Sequence, residues 1–266
     1  MVDAHNHLHE LKKFSDFSSI LQRISDSGVR KMICNATSIA DITEVEHLLV
    51  LDSVEVVPAF GIHPWYVKNQ PDWEKILLEA LFKYPKSIIG ETGLDRYKKL
   101  GNEKIQELCF RKHLELGVKL QRPVVIHCVR AWDWLCNILN DTKILPPALL
   151  FHAYSGGPEL INFLLKKNGW FSFAGTVLHE NNIRSQNSIK SVPRERLLLE
   201  TDSPDLLAPE PYRLGLLVDP ETGKIKSEPS DLRLILTGVS NLLRMQPFYL
   251  EILVESNLEI FLAAGN

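Results

Sequence analysis

Two histidines one residue apart stand near the start of the chain, in Val2-Asp3-Ala4-His5-Asn6-His7-Leu8-His9. In an extended backbone, residues two apart point to the same face. His5 and His7 can therefore offer imidazole nitrogens to one metal ion at roughly 2.0 to 2.1 Å. The pattern recurs downstream, where apolar runs stop at Glu91, His127, His152 and Asp202. Each of these alone has an ordinary explanation. A strand-end histidine is commonly hydrogen-bonded or exposed, Glu91 can cap Thr92 or pair with Arg96, and Asp202 can be a turn residue before Ser203-Pro204. Together the ordinary explanations require the same coincidence in strand after strand. Four imidazoles and two carboxylates are more donors than one tetrahedral zinc requires. Two divalent ions, about 3.5 to 4 Å apart, use them better, with a carboxylate as the bridge. Thiolates are absent from the set, which suits zinc, manganese or magnesium.

Such residues must be held by elements that end at one place. Short aliphatic or β-branched runs are expected as strands at Val2–His5, Lys31–Asn35, Val54–Phe60, Ser87–Glu91, Pro123–His127, Ala148–His152, Trp170–Ala174 and Leu197–Asp202. Helical stretches alternate with them. Phe17–Ser27 ends at Gly28, a C-cap. Asp41 and Glu44 form the capping-box spacing of a helix reaching about Leu51. Asp72 opens a helix to about Tyr84, and Glu103–Glu115 is a long helix closed by Gly117. Ala131–Leu139 follows, and Pro158 suits the first turn of another helix. Two helices close the chain. Leu232, Ile235, Leu236, Val239, Leu242 and Leu243 keep helical spacing in the first, and the second runs from near Pro247 to about Leu262. Tyr212–Ser227, rich in glycine, proline and charge, is expected as a surface loop over the site.

Continuously apolar strands fit a parallel sheet covered on both faces. Eight alternating units fit a single closed (β/α)8 barrel over residues 1–266 with an extra C-terminal helix, and barrel chemistry sits at the C-terminal ends of the strands. No glycine-rich loop follows the first strand, which argues against dinucleotide binding. Lysine plus arginine number 30 and aspartate plus glutamate 33, a formal charge of −3. That balance argues against a protein that coats duplex nucleic acid, but not against one that grips a single phosphate. Cys34, Cys109, Cys128 and Cys136 show no zinc or redox spacing and are expected reduced, in a cytoplasmic protein. No apolar signal segment or membrane span is expected. No surface marks a protein partner, and the sequence leaves the oligomeric state open, a monomer being compatible with it.

Six stretches, taken together, closely resemble the TatD family of metal-dependent hydrolases, a branch of the amidohydrolase-like barrels. They are Asp3-Ala4-His5-Asn6-His7-Leu8, Gly61-Ile62-His63-Pro64, Gly90-Glu91-Thr92-Gly93-Leu94-Asp95, Pro123-Val124-Val125-Ile126-His127, Phe151-His152-Ala153-Tyr154-Ser155-Gly156 and Leu199-Glu200-Thr201-Asp202-Ser203-Pro204. The resemblance implies that His5, His7, Glu91 and Asp202 hold one ion. Glu91 would bridge to a second, held by His127 and His152. It implies that His63 reaches substrate phosphate, that Asp95 orients a ligand or lines the substrate pocket, and that Arg130 contacts phosphate. Asp202 would accept the proton of the attacking water. The implied activity is that of a metal-dependent deoxyribonuclease, commonly a 3′→5′ exonuclease on single-stranded DNA, with RNA as a further substrate. Trp65, Tyr66 and Tyr97 flank these residues and are candidates to stack on bases, with Lys98 and Lys99 beside them for backbone phosphates.

The chain departs from the family pattern at His9, where aspartate is common, at Glu228-Pro229, where Asn-Pro is common, and in a longer segment through Lys224 and Lys226. These changes leave room for a second activity at the same metals, hydrolysis of a small carboxylic ester, amide or lactone. A binding protein that kept the barrel without catalysis is the third reading, and the intact donor set argues against it.

Overall fold

The computed structural model describes residues 1–14, 16–70 and 72–265. Among them the chain alternates β1 (Val2–Asn6), α1 (Phe17–Ser27), β2 (Lys31–Asn35), α2 (Ile39–Glu46), β3 (Glu55–Phe60), α3 (Trp73–Lys83), β4 (Ile88–Asp95) and α4 (Glu103–Leu120). It continues through β5 (Val124–Val129), α5 (Trp132–Asp141), β6 (Leu149–Phe151), α6 (Pro158–Leu165), β7 (Gly169–Phe173), α7 (Ile183–Ser191) and β8 (Leu197–Leu199). The helices α8 (Leu232–Leu243) and α9 (Pro247–Ala263) complete it. Neighbouring strands pair in parallel in the order β1 to β8. The first and last meet at a seam, where Asp202 N–H donates to His5 O at 3.0 Å and His7 N–H to Ser203 O at 2.8 Å. The expected (β/α)8 barrel is the fold. No described helix is long and apolar enough to cross a membrane.

The strands form where β-branched and aliphatic residues run together, because both sheet faces are covered. Val124, Val125 and Ile126 of β5 are fully buried, as a parallel strand between core and helices must be. Gly28 ends α1 at φ +82°, giving its N–H to Ile24 O and Ser25 O, a left-handed cap that favours glycine. In α8 the expected stripe is buried at Leu232, Ile235, Leu236, Val239 and Leu243. Helix α9 adds Leu250, Val254, Leu258 and Phe261 to the core.

Local expectations fail where tertiary contacts reassign a side chain. The Asp41–Glu44 capping box does not form. Helix α2 starts at Ile39, and Asp41 reaches back to accept from Thr37 N, Thr37 Oγ1 and Ser38 Oγ at 3.0, 2.7 and 2.9 Å. Glu44 pairs with Lys12 instead. Gly117 does not end α4, which continues to Leu120. A Cβ there would lie 2.7 Å from Pro146 and Val124 side-chain atoms, so this glycine serves close packing. Helix α7 forms without apolar periodicity, through the polar run Arg184-Ser185-Gln186-Asn187-Ser188. The segment 212–227 holds a single antiparallel bridge, Val218 to Ile225. Its Leu214 N–H donates to Asp231 Oδ1, and it contributes no residue to the wall of the main cavity among the described residues.

Candidate metal centre and substrate cavity

His5 and His7 leave β1 on the same face, as their spacing requires. Their Nε2 atoms are 3.4 Å apart. Asp202 Oδ1, arriving from the end of β8, lies 3.4 Å from His5 Nε2 and 3.6 Å from His7 Nε2. Glu91 Oε2 lies 3.4 and 3.5 Å from the same two nitrogens. The other oxygen of Glu91, Oε1, faces His127 Nδ1 at 3.0 Å and His152 Nε2 at 2.9 Å. Those two nitrogens are 3.3 Å from each other. All six sequence-predicted donors thus converge, and the two oxygens of Glu91 separate them into two groups.

These separations fit divalent cations. Donors at 2.0 to 2.1 Å from a tetrahedral ion are about 3.3 to 3.4 Å from one another. The charges fit too. Burial resists ionisation of Glu91, yet the charge of His152 and hydrogen bonds from His127 and His152 hold its carboxyl well below the usual range. Burial would lower His7, but Asp202 and Glu91 raise it to about 10. A cation between such carboxylates and imidazoles replaces the protons they otherwise retain.

The backs of two rings are fixed. His7 Nδ1–H donates to Asn35 O at 2.9 Å, leaving Nε2 as the free donor atom. His127 Nε2–H donates to Asp95 Oδ2 at 3.1 Å, leaving Nδ1 free. Such outer partners set ring tautomer and orientation. Asp95 also accepts from Trp65 Nε1 on Oδ2, and from Tyr97 N and Lys98 N on Oδ1. Its lone pairs are all engaged, so it steadies His127 and has none left for substrate. Burial opposes its ionisation, but these bonds keep its carboxyl below the usual range.

Glu200 escaped the sequence reading as a site residue. It is fully buried, with Oε1 3.6 Å from His152 Nδ1 and 2.7 Å from Ala153 N, which donates to it. Its spacing of two from Asp202 was the available signal. Asp3 is the counterpart in β1. It accepts from His5 N at 3.2 Å and from Thr201 N and Oγ1 at 3.0 and 2.6 Å, stitching β1 to β8 beneath the ligands. Burial pushes its carboxyl up to about 7.

Backbone geometry aims these groups. Asp202 sits at φ +50°, Ala153 at +41° and Arg130 at +54°, a region that side chains seldom adopt except where surroundings enforce it. Each lies at or next to the carboxyl end of a strand that carries a donor. Gly93 at φ +145° lets β4 approach β5, since a Cβ would fall 2.0 Å from His127 O.

A cavity of about 270 Å³ opens over the donors. His63 lines it, and the ring's Nδ1 accepts from Trp65 N at 3.2 Å. Its proton therefore sits on Nε2, 3.4 Å from Glu91 Oε1. Burial holds this ring neutral, well below the ordinary histidine value. Trp65, Tyr66 and Tyr97 also line the cavity, with Tyr66 and Tyr97 exposed. Arg130 is exposed and stands outside the wall, its guanidinium 5.0 Å from the Tyr97 ring.

The departures from the family pattern lie elsewhere. His9 is buried, with Nδ1 3.6 Å from Cys34 Sγ and Nε2 3.8 Å from Asp41. Glu228 is buried against Arg23, whose Nε and Nη2 donate at 2.9 and 2.6 Å. The suggested Glu91–Arg96 pair does not exist, because Arg96 binds Asp133.

A parallel barrel with buried imidazoles and carboxylates gathered at the carboxyl ends of its strands is the frame of a metal-dependent hydrolase. The family model described as TatD related DNase matches residues 2–263, and the chain belongs to that family. It is 30% identical over 216 residues to the metal-dependent hydrolase YcfH of Escherichia coli, covering 80% of each chain. It is 28% identical over 209 residues to the 3′-5′ ssDNA/RNA exonuclease TatD of Pantoea ananatis, covering 78% of this chain and 80% of that one. The solved structure of the TatD homologue YjjV from Escherichia coli shares the fold, with a TM-score of 0.84 and 24% identity over 98% of this chain and 97% of that one.

Proposed function

We propose that this hydrolase uses two divalent ions to cleave phosphodiester bonds, removing nucleotides from the 3′ end of single-stranded DNA, with RNA as a further substrate. The observation that carries the reading is the division of Glu91, whose Oε2 faces His5 and His7 while Oε1 faces His127 and His152. His5, His7, Asp202 and Glu91 would hold one ion. Glu91, His127 and His152 would hold the other. The imidazole-rich set suits zinc or manganese, with magnesium as the third choice. Bound ions supply positive charge to the phosphate oxygens and make water easier to deprotonate.

The chain's own residues do the rest. Asp202 takes the proton of the attacking water from its place at the end of β8, with Oδ1 3.4 and 3.6 Å from His5 Nε2 and His7 Nε2. His63 presents Nε2–H to a non-bridging oxygen, a donor aimed where negative charge develops. Arg130 meets the phosphate next along the strand, and Tyr66 and Tyr97 receive bases. The similarity to the Pantoea ananatis exonuclease supports this substrate class. The unbroken family match supports reading residues 1–266 as one hydrolase domain. Cysteines free of disulfides support a cytoplasmic site of action.

The test is product mass analysis with 5′-labelled single-stranded DNA and RNA, added Mn²⁺ or Mg²⁺, and the Asp202→Ala and Glu91→Gln variants. A metal-dependent ladder shortened from the 3′ end, reduced at least about 10³-fold in Asp202→Ala, is expected. Metal analysis should give two ions per chain, and fewer in Glu91→Gln. Intact oligonucleotides beside metal-loaded protein would overturn the reading and direct the search to small carboxylic esters and lactones.

A further inference from the structure

The mouth of the cavity is electrically lopsided. Tyr97 and Lys98 follow β4 and Arg130 follows β5. Tyr97 is 57% exposed and carries Arg130 on its ring at 5.0 Å. Lys98 Nζ lies 3.3 Å from the centre of the Trp65 ring. The facing wall is acidic. Glu10 follows His7, and Asp205 follows Asp202 by one turn, its N–H donating to Asp202 O at 2.8 Å. Both line the cavity. With strands in the order β1 to β8 and the seam between the first and last, the β4–β5 side lies across the barrel from Glu10 and Asp205. Lys13 offsets part of the Glu10 charge from 3.2 Å, but is itself exposed. Asp205 stands at the mouth, where partial burial and the charges of Asp202 and Glu10 push its carboxyl up and His7 and Lys226 oppose them.

We infer that Asp205, with Glu10, is the end wall of the substrate channel, and that it admits an unphosphorylated terminus and refuses a terminal phosphate. The inference rests on the phosphodiesterase reading above and deepens it. A strand is a line of evenly spaced charges. If its scissile phosphate sits over the donor cluster, the rest of the strand must leave on one side. The β4–β5 side offers cations and exposed aromatic faces, which suit a phosphate backbone and its bases. The Asp205 side then meets the terminal nucleoside. A hydroxyl there can donate to a carboxylate. A phosphate there meets like charge in a partly enclosed mouth, where solvent screens it less than at an open surface. The same wall disfavours a continuous strand crossing the mouth, and so favours removal from an end.

The test uses matched single-stranded oligonucleotides with hydroxyl or phosphate at either terminus. Two ratios are read within each protein, so that any general change cancels. One is kcat/KM with Mn²⁺ for hydroxyl over phosphate ends. The other is the Kd ratio by fluorescence anisotropy in an Asp202→Ala background. In the otherwise native protein the hydroxyl end should be preferred at least about tenfold, a difference of about 1.4 kcal/mol. The preference should fall below about threefold in Glu10→Gln/Asp205→Asn, invert in Asp205→Lys, and shrink as salt rises. Equal treatment of both ends, or a preference that survives the neutralising variants, would overturn the wall. Failure to bind either oligonucleotide would overturn it as well. Preference at the 5′ end in place of the 3′ end would uphold the wall and overturn the polarity. Loss of turnover alone, with the binding ratio intact, would overturn the phosphodiesterase reading and leave the wall standing.

Discussion

Asp95 decides the orientation of His127 through one oxygen, Oδ2, which also takes the Trp65 indole N–H at 2.9 Å. Because Nε2 of His127 is committed to that bond, Nδ1 must face Glu91. Replacing the acceptor should leave the ring in place and free its tautomer. Asp95→Asn is therefore expected to weaken metal affinity by roughly 10 to 100-fold. Isothermal titration of the metal-free protein with Mn²⁺ or Zn²⁺ checks it, and affinity unchanged within a factor of two or so would show that Asp95 does not hold the ring.

At the scale of elements, β4 and α4 carry the most informative constraints. Gly93 stands where the backbone of β5 passes, with His127 O 2.0 Å from any added Cβ and φ at +145°. Gly93→Ala should cost roughly 3 kcal/mol or more through clash and strain together, seen as a large drop in thermal midpoint. Helix α4 holds the loop of His63 through a buried histidine. His113 Nδ1–H donates to Cys109 O at 2.7 Å, and Nε2 accepts from Ile62 N at 3.1 Å. The second bond needs the neutral ring, because a protonated Nε2 cannot accept. Burial lowers its pKa from the ordinary 6.5 to about 4. The unfolded chain thus takes up this proton first, so its contribution is full above about 6.5 and drains as pH falls toward 4. About 2 kcal/mol of stability should be lost between pH 7 and pH 5. Urea unfolding at both pH values should show that loss in the native protein and a smaller one in His113→Gln. Equal losses would refute the assignment.

On the scale of the whole molecule, the donors arrive from β1, β4, β5, β6 and β8, and ions bound among them would tie most of the barrel together. Ligands that bind only the folded state stabilise it by mass action, about 2.7 kcal/mol at 100 times Kd. For a chain of 266 residues that corresponds to roughly 5 to 10 °C in midpoint. Scanning calorimetry of the metal-saturated and chelator-treated protein should show a fall of that size. No shift would mean that the donors hold no ion tightly.

The parallel barrel and the donor cluster were legible in the sequence because both depend on short-range pattern. Runs such as Val124-Val125-Ile126-His127 place a buried strand and its terminal donor in one reading, and His5-Asn6-His7 fixes its own face by spacing. What pattern could not supply was any fact that depends on a partner distant in the chain. The fully engaged carboxylate of Asp95, Glu200 behind His152, Gly117 as a packing position, the loop 212–227 outside the cavity wall, and the acidic wall opposite Arg130 all arise from contacts between separate strands and helices. Spacing determines which way a side chain leaves its own element. Only the closed barrel determines what it meets there.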